Sequence, residues 1–174
     1  MRFSYDLGGG YSLSLRTLET AGEQHALILK NLERLKQWEH WAHEKGEEED
    51  AAFIRQSLDS WLAGNSLPCN IYAGEAIVGS IELRINQYQQ TGEIGYWIDA
   101  DHEGHGVVTR ACRALIEHGV EKQVKRFELH LAVENTRSAA VAERLGFTCE
   151  AKLAQAMRLG DKRLDSYVYA LIVD

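Results

Sequence analysis

An α/β (α+β) fold, with helices flanking a mixed and mostly antiparallel central sheet, follows from three observations. Segments alternating at the strand period recur along the chain. One long amphipathic helix pattern, at about residues 105–122, follows directly on a strand and a tight glycine turn. Strands and helices mix without strict βαβ alternation, which favours one layered domain over a doubly wound parallel sheet. The length of 174 residues suits a single domain spanning 1–174.

The elements follow in order. Tyr11 to Leu15 alternates as a first strand. Leu27, Leu32, Leu35, Trp38 and Trp41 recur at helical spacing among Lys, Glu and Arg. Asp50 can cap a second helix carrying Phe53, Ile54, Leu58, Trp61 and Leu62, and Pro68, the only proline, ends that region. Residues 70–73 and 76–83 read as strands joined at Gly74-Glu75, a hairpin signal. A polar loop at 87–92 leads into a strand at 93–98. On the long helix, Val107, Val108, Ala111, Cys112, Leu115, Ile116 and Val120 share one apolar face. Residues 127–133 alternate as a strand. A short helix at 138–145 stops at Gly146, a residue suited to the left-handed C-cap. Residues 149–157 and 165–173 form two last strands around Gly160-Asp161.

Composition narrows the function. A net charge of -7 disfavours non-specific contact with nucleic acid, which needs clustered Lys and Arg. The chain lacks an apolar run long enough for a membrane span and an N-terminal signal-peptide core. Cys69, Cys112 and Cys149 are odd in number and widely spaced, which suits a reducing cytoplasm rather than a disulfide framework or zinc ribbon. His40 and His43 share a helix face but have no further clustered ligands, so no metal is expected.

The segment from Tyr96-Trp97-Ile98 through Glu103-Gly104-His105-Gly106-Val107-Val108 carries the chemistry. Glycines let the backbone approach a ligand closely. The unpaired N–H groups opening the following helix favour a phosphate or pyrophosphate. A Rossmann fingerprint would need a third glycine where Thr109 stands, and the Walker loop pattern is absent.

Taken together, Glu93 to Ile98 (EIGYWI), Glu103 to Gly106 (EGHG), Asn135 to Ser138 (NTRS), Glu143 to Phe147 (ERLGF) and Leu32 to Trp41 resemble the GNAT superfamily of acetyl-CoA-dependent N-acetyltransferases. Within it the chain is most similar to the RimJ/RimL ribosomal-protein branch, over nearly its whole length. The resemblance implies a sheet splayed at the acetyl-CoA site, acetyl-CoA as co-substrate, and pantetheine lying along the backbone of Trp97 and Ile98. Pyrophosphate would be held by N–H groups of Glu103, Gly104, His105, Gly106, Val107 and Val108. Asn135 would contact the cofactor or cap the helix beginning near Ser138, and it could do both. The family's phosphate motif usually opens on Gln or Arg where this chain has Asp101. Many relatives carry a thiolate-protonating tyrosine where this chain has Ala142; the Ser138 hydroxyl is the replacement expected here, against a cap role. Trp38 and Trp41 border the acceptor site or belong to the core. The acceptor implied is a ribosomal protein, and relatives in this branch often form homodimers.

Acetyl transfer needs a neutral amine. An α-amine with pKa near 8 carries a handicap of about 1.4 kcal/mol at pH 7, and a lysine about 4.6 kcal/mol. A weak base therefore suits an α-amine better than a lysine. Glu93 and Glu82 are the candidate bases, with His130 a further possibility, and each could equally be surface or structural. The Ile98 N–H is the candidate for polarising the thioester carbonyl. The leading expectation is acetylation of a protein N-terminal α-amine. The alternatives are a small-molecule amine (an aminoacyl nucleotide, antibiotic or polyamine) or a non-catalytic acyl-CoA sensor.

Overall fold

The computed structural model describes residues 3–174. Its strands are β1 (Tyr5–Gly8), β2 (Tyr11–Leu15), β3 (Ser66–Ala73), β4 (Ala76–Asn86), β5 (Thr91–Ile98), β6 (Arg126–Ala132), β7 (Thr148–Leu159) and β8 (Lys162–Ile172). The helices are α1 (Ala21–Lys30), α2 (Leu32–Leu35), α3 (Glu47–Leu62), α4 (Val107–Glu121) and α5 (Thr136–Arg144), with short 3-10 turns at Leu18–Thr20 and Ala100–His102. The strands form one eight-stranded sheet in the order β1-β2-β3-β4-β5-β6-β8-β7. Every neighbouring pair is antiparallel except β5 and β6.

The parallel pair positions the site. Its register runs Thr91↔Arg126, Gly92↔Phe127 and Glu93↔Glu128, and there the pairing ends. Residues 94–98 of β5 stay bonded to β4, and 129–132 of β6 stay bonded to β8. The sheet therefore parts along its centre, as the family resemblance implied.

Strand alternation gives the two faces of this opening different characters. Ile94 and Ile98 point into the main core with Ala111, Cys112 and Leu115 of α4 and with Phe127, Leu129 and Leu131 of β6. Burying this face of α4 against two strands accounts for the amphipathic pattern legible in its sequence. The opposite face carries Glu82, Arg84, Glu93, Gly95 and Trp97; Gly95 pairs with Glu82, Arg84 with Glu93 and Ser80 with Trp97. A smaller core of Ile28, Leu32, Leu35 and Ala42 covers this face, with Trp41 and Trp97 packed against it.

Several expectations from sequence change. β1 was not foreseen. The helix running through Leu27 to Trp41 breaks at Asn31, and Trp38 and Trp41 lie in turns beyond α2. The break has a cause: the Asn31 side chain donates to the Leu27 carbonyl at 3.0 Å, while its oxygen accepts from the Ala100 N–H at 3.2 Å and from Arg34 at 3.0 Å. These bonds across to the β5–α4 connection replace continuation of the helix. Asp50 is not a cap; α3 begins at Glu47 behind Gly46. Asp50 is instead buried between Lys45 at 2.6 Å and His25 at 2.7 Å. The buried face of α3 runs through Asp50, Ile54 and Ser57, leaving Phe53, Trp61 and Leu62 exposed. Pro68 lies inside β3, where its carbonyl accepts from the Arg16 N–H at 3.0 Å.

Candidate active site

Gly104 and Gly106 close the turn before α4 with φ of +79° and +67°. Such left-handed backbone costs glycine little. The first bond of α4 runs from the Arg110 N–H to the Gly106 carbonyl at 3.2 Å. The N–H groups of Val107, Val108 and Thr109 therefore lie ahead of the helical ladder, at its positive end. A Cβ on Gly104 would meet nothing within 4 Å, so the turn is open on that side. The Glu103 N–H is different from the expectation: it donates back to the Ala100 carbonyl at 3.3 Å. Glu103 acts here through its carboxylate, which is bound by Arg34 at 2.6 Å and by Arg137.

The turn is clipped to the α1–α2 junction. Lys30 reaches both Asp99 and Asp101 at 2.7 Å. Asp101, the departure from the family motif, thus faces α1. Burial alone would raise the Asp99 carboxyl, but Lys30 and Asn31 outweigh it and hold it below its ordinary value. Arg34 also donates to the Ile98 carbonyl. The polar side chains on the first turn of α4 turn away from the glycine turn's open side. Thr109 is buried with its hydroxyl toward Arg144 at 3.4 Å, and Arg110 curls back to the His105 carbonyl at 3.0 Å.

Main-chain directions along β5 decide which groups can meet a ligand in the opening. The Trp97 carbonyl faces β4, where a Cβ on Gly79 would come within 2.5 Å of it. The Asp99 N–H likewise donates to Val78 on β4 at 2.7 Å. Alternation turns the N–H and C=O of Tyr96 and Ile98 toward the opening. This corrects the expectation for Trp97: its main chain belongs to the β4 ladder, and only its indole borders the opening's far face. The Ile98 N–H, by the same alternation, turns toward the opening.

Across the gap, Asn135 caps α5, its side-chain oxygen accepting from the Ser138 N–H at 3.2 Å. That cap leaves the amide N–H groups of Asn135 uncommitted to it. Ser138 is partly buried on the first turn of α5. Tyr96, overlooked as a site residue in the sequence reading, points to the same side. Its buried hydroxyl has no hydrogen-bond partner among the described residues. Burial pushes its pKa up, with Cys112 and Glu39 adding and Ser138 pulling back. An unpartnered hydroxyl beside Ser138 is a group that a ligand in the opening would satisfy. The signal was available, because Tyr96 alternates with Trp97 and must face α4 and α5. Ala142 is fully buried in the main core.

The candidate bases occupy the Trp97 face. Glu93 pairs with Arg84 at 2.7 Å, and Glu82 lies 3.7 Å from the buried Arg16 guanidinium. His130 stands apart, bonded to Glu128 at 2.8 Å. Trp41 packs on Trp97 with ring centroids 6.3 Å apart, so it borders the site, whereas Trp38 has no such contact among the described residues. A cavity of about 320 Å³ adjoins this face among Arg84, Glu93 and Glu128, and another of about 550 Å³ lies between His40 and Ala156, Met157, Arg158 and Gly160 of the β7–β8 hairpin. Among the described residues no group of His, Cys, Asp and Glu could hold a metal ion, and no helix is long and apolar enough to cross a membrane.

A sheet parted between two parallel strands, with a glycine turn presenting helix N–H groups at one end, defines a protein that takes an extended, phosphate-bearing acyl carrier. Residues 12–148 match the acetyltransferase (GNAT) domain family, and the chain belongs to that family. It is similar to a ribosomal-protein-serine acetyltransferase of Escherichia coli (strain K12), at 33% identity over 165 residues, covering 90% of this chain and 92% of the relative. Among solved structures it is similar to RimL, a ribosomal L7/L12 alpha-N-protein acetyltransferase in complex with coenzyme A, with a TM-score of 0.94, 26% identity and 99% of both chains covered. It is also similar to the microcin C7 self immunity acetyltransferase MccE in complex with acetyl-CoA and AMP, with a TM-score of 0.90, 30% identity, and 96% of this chain and 94% of that one covered.

Proposed function

We propose that residues 1–174 form one N-acetyltransferase domain that transfers acetyl from acetyl-CoA to a protein N-terminal α-amine, with a ribosomal protein as the substrate class. The observation carrying this reading is the parting of β5 from β6 after Glu93↔Glu128, next to the open glycine turn. The relatives that act on ribosomal proteins cover nearly the whole chain, which supports the substrate class.

In this reading the pyrophosphate meets the N–H groups of Gly104, His105, Gly106, Val107 and Val108. Pantetheine lies in the opening against the main chain of Tyr96 and Ile98, within reach of the Asn135 amide. The Ile98 N–H polarises the thioester carbonyl as negative charge develops on its oxygen. The neutral amine nitrogen attacks the carbonyl carbon, the nitrogen gives up one proton to solvent as the C–S bond breaks, and the departing sulfur takes a proton from the Ser138 hydroxyl, which solvent then restores. Holding both reactants in one opening supplies much of the acceleration. Helix-end contacts are worth on the order of 1 kcal/mol each, so pantetheine and adenine must contribute most of a micromolar affinity, about 8 kcal/mol.

The chain is expected to work in the reducing cytoplasm as a homodimer. Exposed Phe53, Trp61 and Leu62 on α3 support pairing as apolar surface a second copy would cover. Sedimentation as a monomer at tens of micromolar would refute it. The function is tested by thiol release from acetyl-CoA, with mass spectrometry on peptides bearing ribosomal-protein N-termini and on a panel of small amines. Acetyl-CoA binding without turnover on any amine would favour a sensor, and modification of small amines alone would move the acceptor class.

A further inference from the structure

The turn after α2 places a carboxylate over the opening. Glu39 Oε2 accepts from Trp41 Nε1 at 2.9 Å, and Trp41 rests on Trp97. On the other side, the Arg84 guanidinium lies over Gly95, within 3.5 Å of where a Cβ would stand, and its charge reaches Glu39. Flanked by Trp41 over Trp97 and Arg84 over Gly95, Glu39 stands above the stretch of β5 that β6 no longer pairs. Its chain neighbour His40 lines the cavity of about 550 Å³ that reaches the β7–β8 hairpin.

We infer that Glu39 takes the proton from the acceptor ammonium before attack. The step rests on the acetyltransferase reading above. The N–H bond of the ammonium breaks, the proton passes to a Glu39 oxygen, and the freed lone pair of nitrogen forms the bond to the acetyl carbon; the C–S bond then breaks, the sulfur is protonated through Ser138, and the nitrogen's second proton leaves to solvent. Glu39 later gives the proton to solvent.

Other carboxylates on this face are committed. Glu93 is held by Arg84 and Glu82 by Arg16, whereas Glu39 accepts from a neutral indole. The charged and titratable groups facing Glu39 are Arg84 from β4 and Tyr96 from β5, and Lys45 stands across the Trp41 ring at 5.5 Å. Burial pushes the Glu39 carboxyl up, against the pull of Trp41 and Arg84, which makes it a stronger proton acceptor than a solvated carboxylate.

The test compares wild type with Glu39→Gln and Glu39→Asp on a peptide with a free N-terminal serine, across pH 6 to 9. Calorimetry with acetyl-CoA and thermal melts run in parallel. Glu39→Gln is expected to lose about a hundredfold in kcat, with acetyl-CoA affinity and melting temperature retained. The deficit should shrink above pH about 8, where the amine sheds its proton unaided. Glu39→Asp should recover part of the rate. A Gln variant matching wild type at every pH would overturn the role of Glu39 and leave the acetyltransferase reading standing. A pH-independent deficit, or loss of acetyl-CoA affinity along with rate, would mark Glu39 as structural and also overturn it. Wild type inert toward every amine would overturn both.

Discussion

Replacing Gly106 with valine tests whether the glycine turn is the phosphate socket. Gly106 sits at φ +67° as the residue before α4. An L-residue held in that region costs about 1–2 kcal/mol, and a β-branched one more. The added Cβ would lie 3.3 Å from Arg110 Nη1, the far end of a side chain that can turn aside, so packing contributes little. Relief of the strain rotates φ toward negative values and re-aims the N–H groups of Val107 and Val108. Losing two anion contacts of about 1 kcal/mol each weakens coenzyme A binding by roughly thirtyfold. A strain of 1–2 kcal/mol lowers the melting temperature by about 2–8 °C for a domain of this size. Gly74→Val is the control, since Gly74 has φ +59° in the β3–β4 turn, away from the opening. Calorimetry with coenzyme A and thermal melts on both variants separate strain from binding. If Gly106→Val binds coenzyme A within twofold of wild type while melting like the Gly74 control, the pyrophosphate is held elsewhere.

Four other perturbations probe the remaining parts. Gly119→Ala would place a Cβ 2.5 Å from Phe127 Cε1 and 3.1 Å from Leu83 Cδ2; overpacking of about 1–3 kcal/mol outweighs the gain in helix propensity of about 1 kcal/mol, so the urea midpoint should fall, and a rise would contradict the packing. Glu103→Gln removes negative charge beside the turn and frees Arg34 and Arg137; coenzyme A affinity should rise severalfold at low salt and lose that gain at high salt, whereas weaker binding would make the carboxylate an organiser of the turn. Ser138→Ala should lower kcat more than it changes acetyl-CoA affinity, and an unchanged rate would return Ser138 to its place in the α5 cap. Acid should destabilise the fold below pH about 4. Lys30 and Asn31 outweigh burial at Asp99, His130 and Arg126 hold Glu128 low, Arg126 holds Glu150 low, and the Gln155 N–H with Lys152 holds Asp165 low. Depressed folded values mean stability that is complete above the unfolded pKa and lost as pH falls through the folded one. Glu39, pushed up by burial, works in the opposite sense, and a melting curve flat from pH 6 to 3 would refute the account.

Errors in the sequence reading share an origin. The helix through Leu27 to Trp41 was drawn from apolar spacing alone, and spacing cannot register that Asn31 trades its helical continuation for bonds to Ala100 and Arg34. Local spacing makes Asp50 a cap candidate, whereas its burial within the first turn of α3 depends on Lys45 and His25 reaching it from outside the helix. Trp97 was assigned to the opening as backbone because the strand was legible while its bonding side was not. Glu39 went unnoticed because nothing in its neighbourhood along the chain distinguishes it from other surface glutamates.

By itself the sequence determined the two hairpins, the α4 stripe from Val107 to Ile116 (Val120, assigned to the same face, is exposed), the glycine turn at Gly104 and Gly106, and the cap role open to Asn135. Each is written in the periodicity or turn chemistry of a short window, where backbone sterics and apolar spacing act locally. Only the tertiary structure decided where β5 leaves β6, which carboxylates are spent on Arg16 and Arg84, and which one meets the Trp41 indole instead. Those outcomes depend on groups far apart in the chain meeting at a few ångströms, where charge and burial act through space rather than along the sequence.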